Sequence, residues 1–117
     1  MKPALDPAVI ASLRELTPPG EPDVLKEVLQ LFLEDVPGRI ERLRTAWQGG
    51  NAVEVQRSAH SLKGSAGNIG ASDLLAVCRL LDDHGKSGDL SNLSALVASL
   101  DAEYARVEAE IARLIGA

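Results

Sequence analysis

The chain of 117 residues contains few aromatic residues, a single cysteine and no long apolar run. Aromatic residues make up only 3% of the sequence and hydrophobic residues 45%, so the core must be built mainly from aliphatic side chains. Because Cys78 is alone, the chain cannot form an internal disulfide, and a reduced, cytoplasmic setting is expected. Every apolar run is shorter than the roughly 20 residues that cross a membrane.

The charge balance argues against two classes of partner. The formal net charge is −5 at pH 7, and the sequence contains no basic stripe that would displace counterions from a nucleic acid. The same negative charge disfavours binding to an anionic membrane surface. We therefore expect neither nucleic acid nor a membrane among the partners.

The sequence also offers no pattern for a metal, nucleotide or cofactor site. His60 and His84 are far apart, and neither has a second histidine three or four residues away. The segment Gly85-Lys86-Ser87 matches the end of a phosphate-binding P-loop, but Leu80 stands where that loop requires a glycine. Because no ATP-binding signature of a kinase is present either, we expect no metal, no cofactor and no enzyme with its own ATP site.

Apolar residues recur at steps of three and four along the chain and nowhere alternate with period two. We predict an all-α protein, an antiparallel up-down four-helix bundle with a short N-terminal lid helix, forming one domain over residues 1–117. The stripe of the second helix continues in phase through Pro37, which predicts a kink inside one long helix. One bundle buries all of these stripes, so we expect a monomer.

Capping and turn residues predict where each helix begins and ends. The predicted helices run from Asp6-Pro7 to before Thr17, from Glu21-Pro22-Asp23 to Gly49-Gly50, from Asn51 to Gly70, from Ser72 or Asp73 to His84-Gly85, and from Asp89 or Ser91 to near the C-terminus. Asn51 is the expected N-cap of the third helix, with Glu54 reaching back to it in a capping box. Lys86-Ser87-Gly88 is expected to be the loop before the last helix.

The third helix carries the most informative face of the chain. At about 100° per residue, Lys63, Gly64 and Gly67 fall on the same side of this helix as His60. The opposite, core-facing side carries the apolar residues Val55, Leu62, Ala66 and Ile69. Each glycine costs roughly 1 kcal/mol against alanine inside a helix, so a helix that only buried its apolar face would not need them. Their effect is to remove side chains around the imidazole and to let another surface approach.

The residue types on this face suit the acceptance of a phosphoryl group. A neutral imidazole in the open is a good nucleophile near pH 7, and Lys63 can balance charge on passing phosphoryl oxygens. Gln56 is a further candidate, as a hydrogen-bond partner of the ring or of those oxygens. Arg57 is expected either to steer an acidic partner or to be a solvated surface charge.

The segment from His60 to Gly70 resembles the signature of histidine-containing phosphotransfer (HPt) domains. The matching residues are His60, Leu62, Lys63, Gly64, Ser65, Ile69 and Gly70. The order of helices around the motif also fits, so the resemblance covers essentially the whole chain. It implies that Nε2 of His60 carries a phosphoryl group between aspartates of response-regulator receiver domains, supplied by a sensor or hybrid histidine kinase. Any magnesium would then belong to the receiver.

Three other interpretations compete with phosphotransfer. An adaptor would dock a receiver or kinase domain through the same patch without passing phosphate, and apolar residues such as Ile10 and Leu13 are candidates for that surface. An enzyme using His60 as a general base is disfavoured, because the sequence shows no convergent acid, orienting carboxylate or cleft. A histidine without chemistry is the third interpretation, and the glycine-flanked position of His60 argues against it.

Overall fold

The computed structural model describes residues 2–116. The helices in this range are α1 (Pro7–Glu15), α2 (Val24–Gln48), α3 (Ala52–Asn68), α4 (Ser72–Ser87) and α5 (Ser94–Ile115). All regular structure between residues 2 and 116 is helical, which confirms the predicted all-α class. In the same range no helix combines the length and the hydropathy needed to span a membrane.

Side-chain caps start α1 and α3 where the sequence predicts, whereas Glu21-Pro22-Asp23, the predicted start of α2, lies just before this helix. Asp6 and Asp23 accept hydrogen bonds from backbone N–H groups in the first turns of α1 and α2. Asn51 caps α3 by accepting from the N–H of Glu54 at 3.1 Å. The reciprocal half of the predicted capping box is wrong, because the N–H of Asn51 donates instead to the carbonyl of Ala46 at 2.8 Å.

The bundle is arranged around α3, which packs between α2 and α4, while α5 contacts both α4 and α2. Because the connections between these four helices are short, neighbours run antiparallel. The second helix continues unbroken through Pro37, as its apolar phase predicts. The fully buried side chains are mostly aliphatic, among them Leu29, Leu43, Leu62, Leu81, Leu100 and Ile111. The core therefore depends on close packing of branched side chains.

Helix α1 lies against the α3–α4 turn and forms the predicted lid. The N–H of Asp6 donates to the carbonyl of Gly70 at 2.8 Å. Gly70 has φ of 71°, and a Cβ at this position would come within 2.8 Å of Val9. Ile10 is only 7% exposed and belongs to the core. Its proposed place on a docking surface is therefore wrong, and Leu13 is partly buried against the same core.

The predicted end of α4 at His84-Gly85 is wrong. The helix continues through Lys86 to Ser87, and Gly88 with φ of 79° forms its left-handed cap. Gly85 is instead buried inside the helix, where a Cβ would lie 2.6–2.7 Å from N, Cα and Cβ of Gln56. Gly85, which in the sequence looks like a helix-ending residue, thus allows α3 and α4 to approach closely.

The predicted cap of α5 is also wrong. The helix begins at Ser94, and its N-cap, Leu93, makes no side-chain capping bond. Asp89 stabilises the preceding turn, since its carboxylate accepts from the N–H of Ser91 at 3.0 Å. Asp89 and Ser91 therefore stabilise the loop, and the N-cap position of α5 is occupied by Leu93, whose side chain is buried.

Candidate functional site

The face of α3 that carries His60 is open to solvent. The His60 side chain is 69% exposed and borders a shallow depression of about 450 Å³ between α3 and α4. The other residues that line this depression are Lys63, Gly64, Gly67, Asn68, Leu75 and Arg79. The structure thus brings together the histidine, the lysine and both glycines that the sequence singles out.

Internal packing does not require glycine at positions 64 and 67. A Cβ built on Gly64 or Gly67 meets no atom within 4 Å in the described part of the chain. Both positions lie inside α3, where alanine would be more stable by roughly 1 kcal/mol. The open space therefore lies on the outer side of the helix, where a partner can reach the backbone next to His60.

A buried carboxylate lies beside His60. Asp82 on α4 is only 1% exposed, and its Oδ2 atom lies 3.9 Å from Nδ1 of His60. Lys63 Nζ donates to the same oxygen at 2.6 Å, and Gln56 Nε2 donates to Oδ1 at 3.0 Å. Lys86 Nζ lies 3.5 Å from Oδ2. A buried charge requires such partners, because it has lost its hydration.

Two opposing influences act on the ionisation of Asp82. Burial is the largest single influence and raises the pKa of this carboxyl group. The hydrogen bonds from Lys63 and Gln56 and the charges of Lys63 and Lys86 together lower the pKa by more than burial raises it. The pKa of Asp82 therefore lies below its ordinary value of 3.8. Asp82 is therefore a carboxylate at neutral pH.

Asp82 corrects one expectation drawn from the sequence, that no carboxylate is available to orient His60. The acid follows Leu74 and Cys78 at four-residue steps along α4, so it occupies the core-facing stripe of that helix. An acid in phase with buried apolar residues is the signal by which the sequence could have identified Asp82.

The position of Asp82 distinguishes the two ring nitrogens of His60. Nδ1 is the nitrogen next to the carboxylate. Nε2 lies on the far side of the imidazole ring and therefore points away from Asp82. At 3.9 Å the Nδ1–Oδ2 separation is longer than a hydrogen bond, but the exposed ring has room to turn. The geometry thus leaves Nε2 as the nitrogen that an approaching partner meets.

Gln56 and Arg57 differ in how they relate to this site. Gln56 donates to Asp82, so its contact is with the carboxylate beside the ring and not with the ring itself, which is one of the two partners predicted for it. Arg57 is exposed on the turn of α3 that precedes His60. It is not among the described residues that line the depression.

A second depression adjoins the first across α3. It has a volume of about 260 Å³ and is lined from α2 by Val28, Leu31, Phe32 and Asp35, and from α3 by Ser65, Asn68 and Ile69. Asn68 borders both depressions, so the two form one continuous surface over α2, α3 and α4. Leu31 is 62% exposed there and is an apolar contact available to a partner.

The remaining histidine and the cysteine lie elsewhere. Nδ1 of His84 is 3.2 Å from the carbonyl of Asp89, a contact that ties α4 to the following loop. Cys78 is fully buried, and burial raises the pKa of its thiol to about 12. It is a core residue and not a nucleophile. Within residues 2–116 no three His, Cys, Asp or Glu side chains are grouped to hold a metal ion.

The fold and the site together define a class of protein, the helical bundle that displays one exposed histidine on a glycine-flanked, lysine-bearing helix face. Residues 27–110 match the model of the Hpt domain family. The chain belongs to that family.

Individual relatives agree with this assignment. The crystal structure of histidine-containing phosphotransfer protein B from Pseudomonas aeruginosa PAO1 superimposes with a TM-score of 0.87 at 32% identity, covering 97% of this chain and 95% of that one. The HPT domain of a sensor hybrid histidine kinase from Shewanella has the same fold, with a TM-score of 0.78 at 17% identity over 97% of this chain and 94% of that chain.

A curated plant protein is similar in sequence. Histidine-containing phosphotransfer protein 2 of Arabidopsis thaliana is 28% identical over 102 residues, which are 85% of this chain. The chain spans 65% of the length of that relative.

Proposed function

We propose that this chain is a histidine phosphotransfer protein of a two-component phosphorelay and carries a phosphoryl group on His60. The observation that carries the proposal is the exposed imidazole of His60, with Lys63 beside it and open space over Gly64 and Gly67. Membership of the Hpt domain family supports it. In this role the chain is a carrier without its own ATP site, and all of residues 1–117 act as one domain.

The proposed transfer uses the neutral imidazole as nucleophile. The lone pair of Nε2 attacks phosphorus in line, the bond from phosphorus to the oxygen of a receiver aspartate breaks, and its electrons leave with the carboxylate. The return step to a second aspartate reverses these bonds. Lys63 has three donor hydrogens and uses one on Asp82. The others are available to the phosphoryl oxygens, whose charge they offset.

The partners in this proposal are response-regulator receiver domains and a sensor or hybrid histidine kinase. A receiver approaching His60 would cover Gly64 and Gly67 and place apolar side chains against Leu31 in the adjoining depression. Arg57 would lie at the edge of that contact and steer an acidic receiver site. We further propose that the chain acts as a monomer, because its apolar stripes are buried within one bundle. We also propose that it acts in the reduced cytoplasm, which suits a chain with a single cysteine.

The experiment that tests the function is transfer from a phosphorylated receiver domain. We expect an acid-labile, alkali-stable label on the wild-type chain, no label on His60→Gln, and full label on the matched control His84→Gln. Label that persists in His60→Gln would refute the assignment. If several receivers bind but none transfers label, the chain is instead an adaptor that docks these domains without passing phosphate.

A further inference from the structure

The two depressions beside His60 differ in charge. Among the residues that line the depression on the α2 side, Asp35 alone is charged, and its carboxylate is paired with Arg39 of the same helix at 3.0 Å. The depression on the α4 side is lined by two cations, Lys63 and Arg79, and by no acidic residue. The surface around His60 is therefore balanced in charge over α2 and not over α4.

Arg79 supplies the charge on the α4 side that no neighbour neutralises. Lys63 Nζ is paired with the carboxylate of Asp82 at 2.6 Å, and Lys86 lies 3.5 Å from the same oxygen. Arg79 is exposed, and within residues 2–116 no carboxylate oxygen lies within 4.0 Å of its guanidinium nitrogens. This holds even for Asp83, which is four residues further along α4, at a spacing that allows pairs on a helix.

The free guanidinium of Arg79 is suited to a carboxylate of a partner. It presents its N–H donors in a rigid planar fork that matches the two oxygens of a carboxylate. Arg79 and Leu75 form the α4 side of the depression, across from Gly64 and Gly67 of α3. A partner that covers these glycines to reach His60 therefore also meets Arg79.

We propose that Arg79 is a specificity-determining residue that binds a carboxylate on the receiver surface and so selects receivers whose acidic residues face α4. This inference rests on the proposed phosphotransfer function and names the chemistry of its partner. The receiver would meet the apolar side chain of Leu31 over α2 and the cation of Arg79 over α4. Two unlike contacts on opposite sides of α3 allow only one orientation of the receiver over His60.

The role of Arg79 is distinct from those of Lys63 and Arg57. Lys63 is on the same helix face as His60 and offsets charge on the phosphoryl group, whereas Arg79 belongs to the neighbouring helix and contacts the partner. Arg57 is exposed but does not line the depression, so it acts only at longer range. A charge at the rim of an interface acts mainly on the rate of encounter, so its effect should appear in KM for the phosphorylated receiver.

The first test uses a phosphorylated receiver domain that labels the wild-type chain. KM and the rate at saturation are measured for Arg79→Glu and for the matched control Arg42→Glu. Arg42 is also exposed and without an ion pair in the described range, but it lines a groove with Gly49 and Asn51 at the α2–α3 turn. We expect KM to rise about 10-fold in Arg79→Glu and to stay unchanged in Arg42→Glu.

Salt provides an internal check on this result. Because ions screen exposed charges, added potassium chloride should bring the KM values of Arg79→Glu and the wild-type chain closer together. Equal KM values for Arg79→Glu and Arg42→Glu at low salt would overturn the proposal. So would a fall in the rate at saturation with KM unchanged, since Arg79 would then act on the chemical step.

The second test replaces the receiver by a small phosphoryl donor, potassium phosphoramidate. We expect Arg79→Gln to lose more of its labelling rate with the receiver than with phosphoramidate, because only the receiver carries the surface carboxylate. Equal losses with the two donors would overturn the proposal, since Arg79 would then act on the phosphoryl group itself. Failure of every receiver to label the wild-type chain refutes the proposed function, whereas normal label with an unaltered KM in Arg79→Glu refutes only the role of Arg79.

Discussion

Replacing Gly85 by alanine should destabilise the bundle, even though alanine is the better helix former. In an open helix position the change would add about 1 kcal/mol of stability. At Gly85 the new Cβ would lie 2.6 Å from the backbone nitrogen of Gln56, and a backbone atom cannot move aside as a flexible side chain does. Restoring the ordinary contact distance of 3.4 Å would require α3 and α4 to separate by about 0.8 Å.

The expected loss is the difference between two effects. Overpacking of a close contact costs about 1–3 kcal/mol, and the separation also loosens buried side chains along both helices. Because the contact is with backbone atoms, we use the upper end of that range, about 2–3 kcal/mol. After subtraction of the helix-propensity gain of about 1 kcal/mol, we expect Gly85→Ala to lower the free energy of unfolding by about 1–2 kcal/mol. Gln56 donates to Asp82, so the same displacement should also slow phosphoryl transfer to His60.

Urea denaturation followed by the helical circular dichroism signal measures this loss. The matched control is Gly38→Ala, because Gly38 lies inside α2 and a Cβ there meets nothing within 4 Å among the described residues. The control should gain up to about 1 kcal/mol. A Gly85→Ala protein as stable as the wild type would refute the reasoning, since it would mean that α3 and α4 separate at no cost.

Three further predictions concern the site. Gly64→Ala should raise the free energy of unfolding by up to about 1 kcal/mol yet slow transfer from a receiver, because the new methyl group enters the surface that a partner covers; transfer at the wild-type rate would show that the partner does not reach this glycine. Leu31→Ala should weaken receiver binding measured by calorimetry, whereas Leu16→Ala, which is equally exposed at 62%, should not; equal losses would exclude Leu31 from the docking surface. The pKa of Asp82 is lower in the folded chain than its ordinary value of 3.8, so the unfolded state binds more protons in acid. The stabilisation by this carboxylate is therefore complete above pH 3.8 and is lost as the pH falls through the lower pKa of the folded state. Comparison of acid unfolding in wild type and Asp82→Asn should show a smaller dependence on pH in the variant, and identical curves would contradict the pKa direction.

Local signals in the sequence determined most of the helix bounds. The N-caps at Asp6 and Asn51 are confirmed, because a cap is satisfied by N–H groups only two or three residues away. The continuation of α2 through Pro37 was likewise predictable, because the apolar residues repeat in the same phase along a single helix. Signals that act within one helix do not depend on what packs against it.

The arrangement around His60 on α3 was also determined locally. Lys63, Gly64 and Gly67 are within two turns of His60, so helix geometry alone places them on one face. The sequence could therefore predict the exposed histidine and its neighbours without knowledge of the other helices. It could not choose between the two ring nitrogens, because that choice depends on what lies next to the ring.

Only the tertiary structure decided the roles of Asp82 and Gly85. Asp82 meets Gln56, His60 and Lys63 across the α3–α4 interface, at separations of 26, 22 and 19 residues, and no local pattern specifies that contact. Gly85 after His84 has the local appearance of a helix end, and the same residues serve equally well where two helices approach closely. Because a buried carboxylate and a packing glycine are both defined by the surface opposite them, their roles are determined only when α3 and α4 come together.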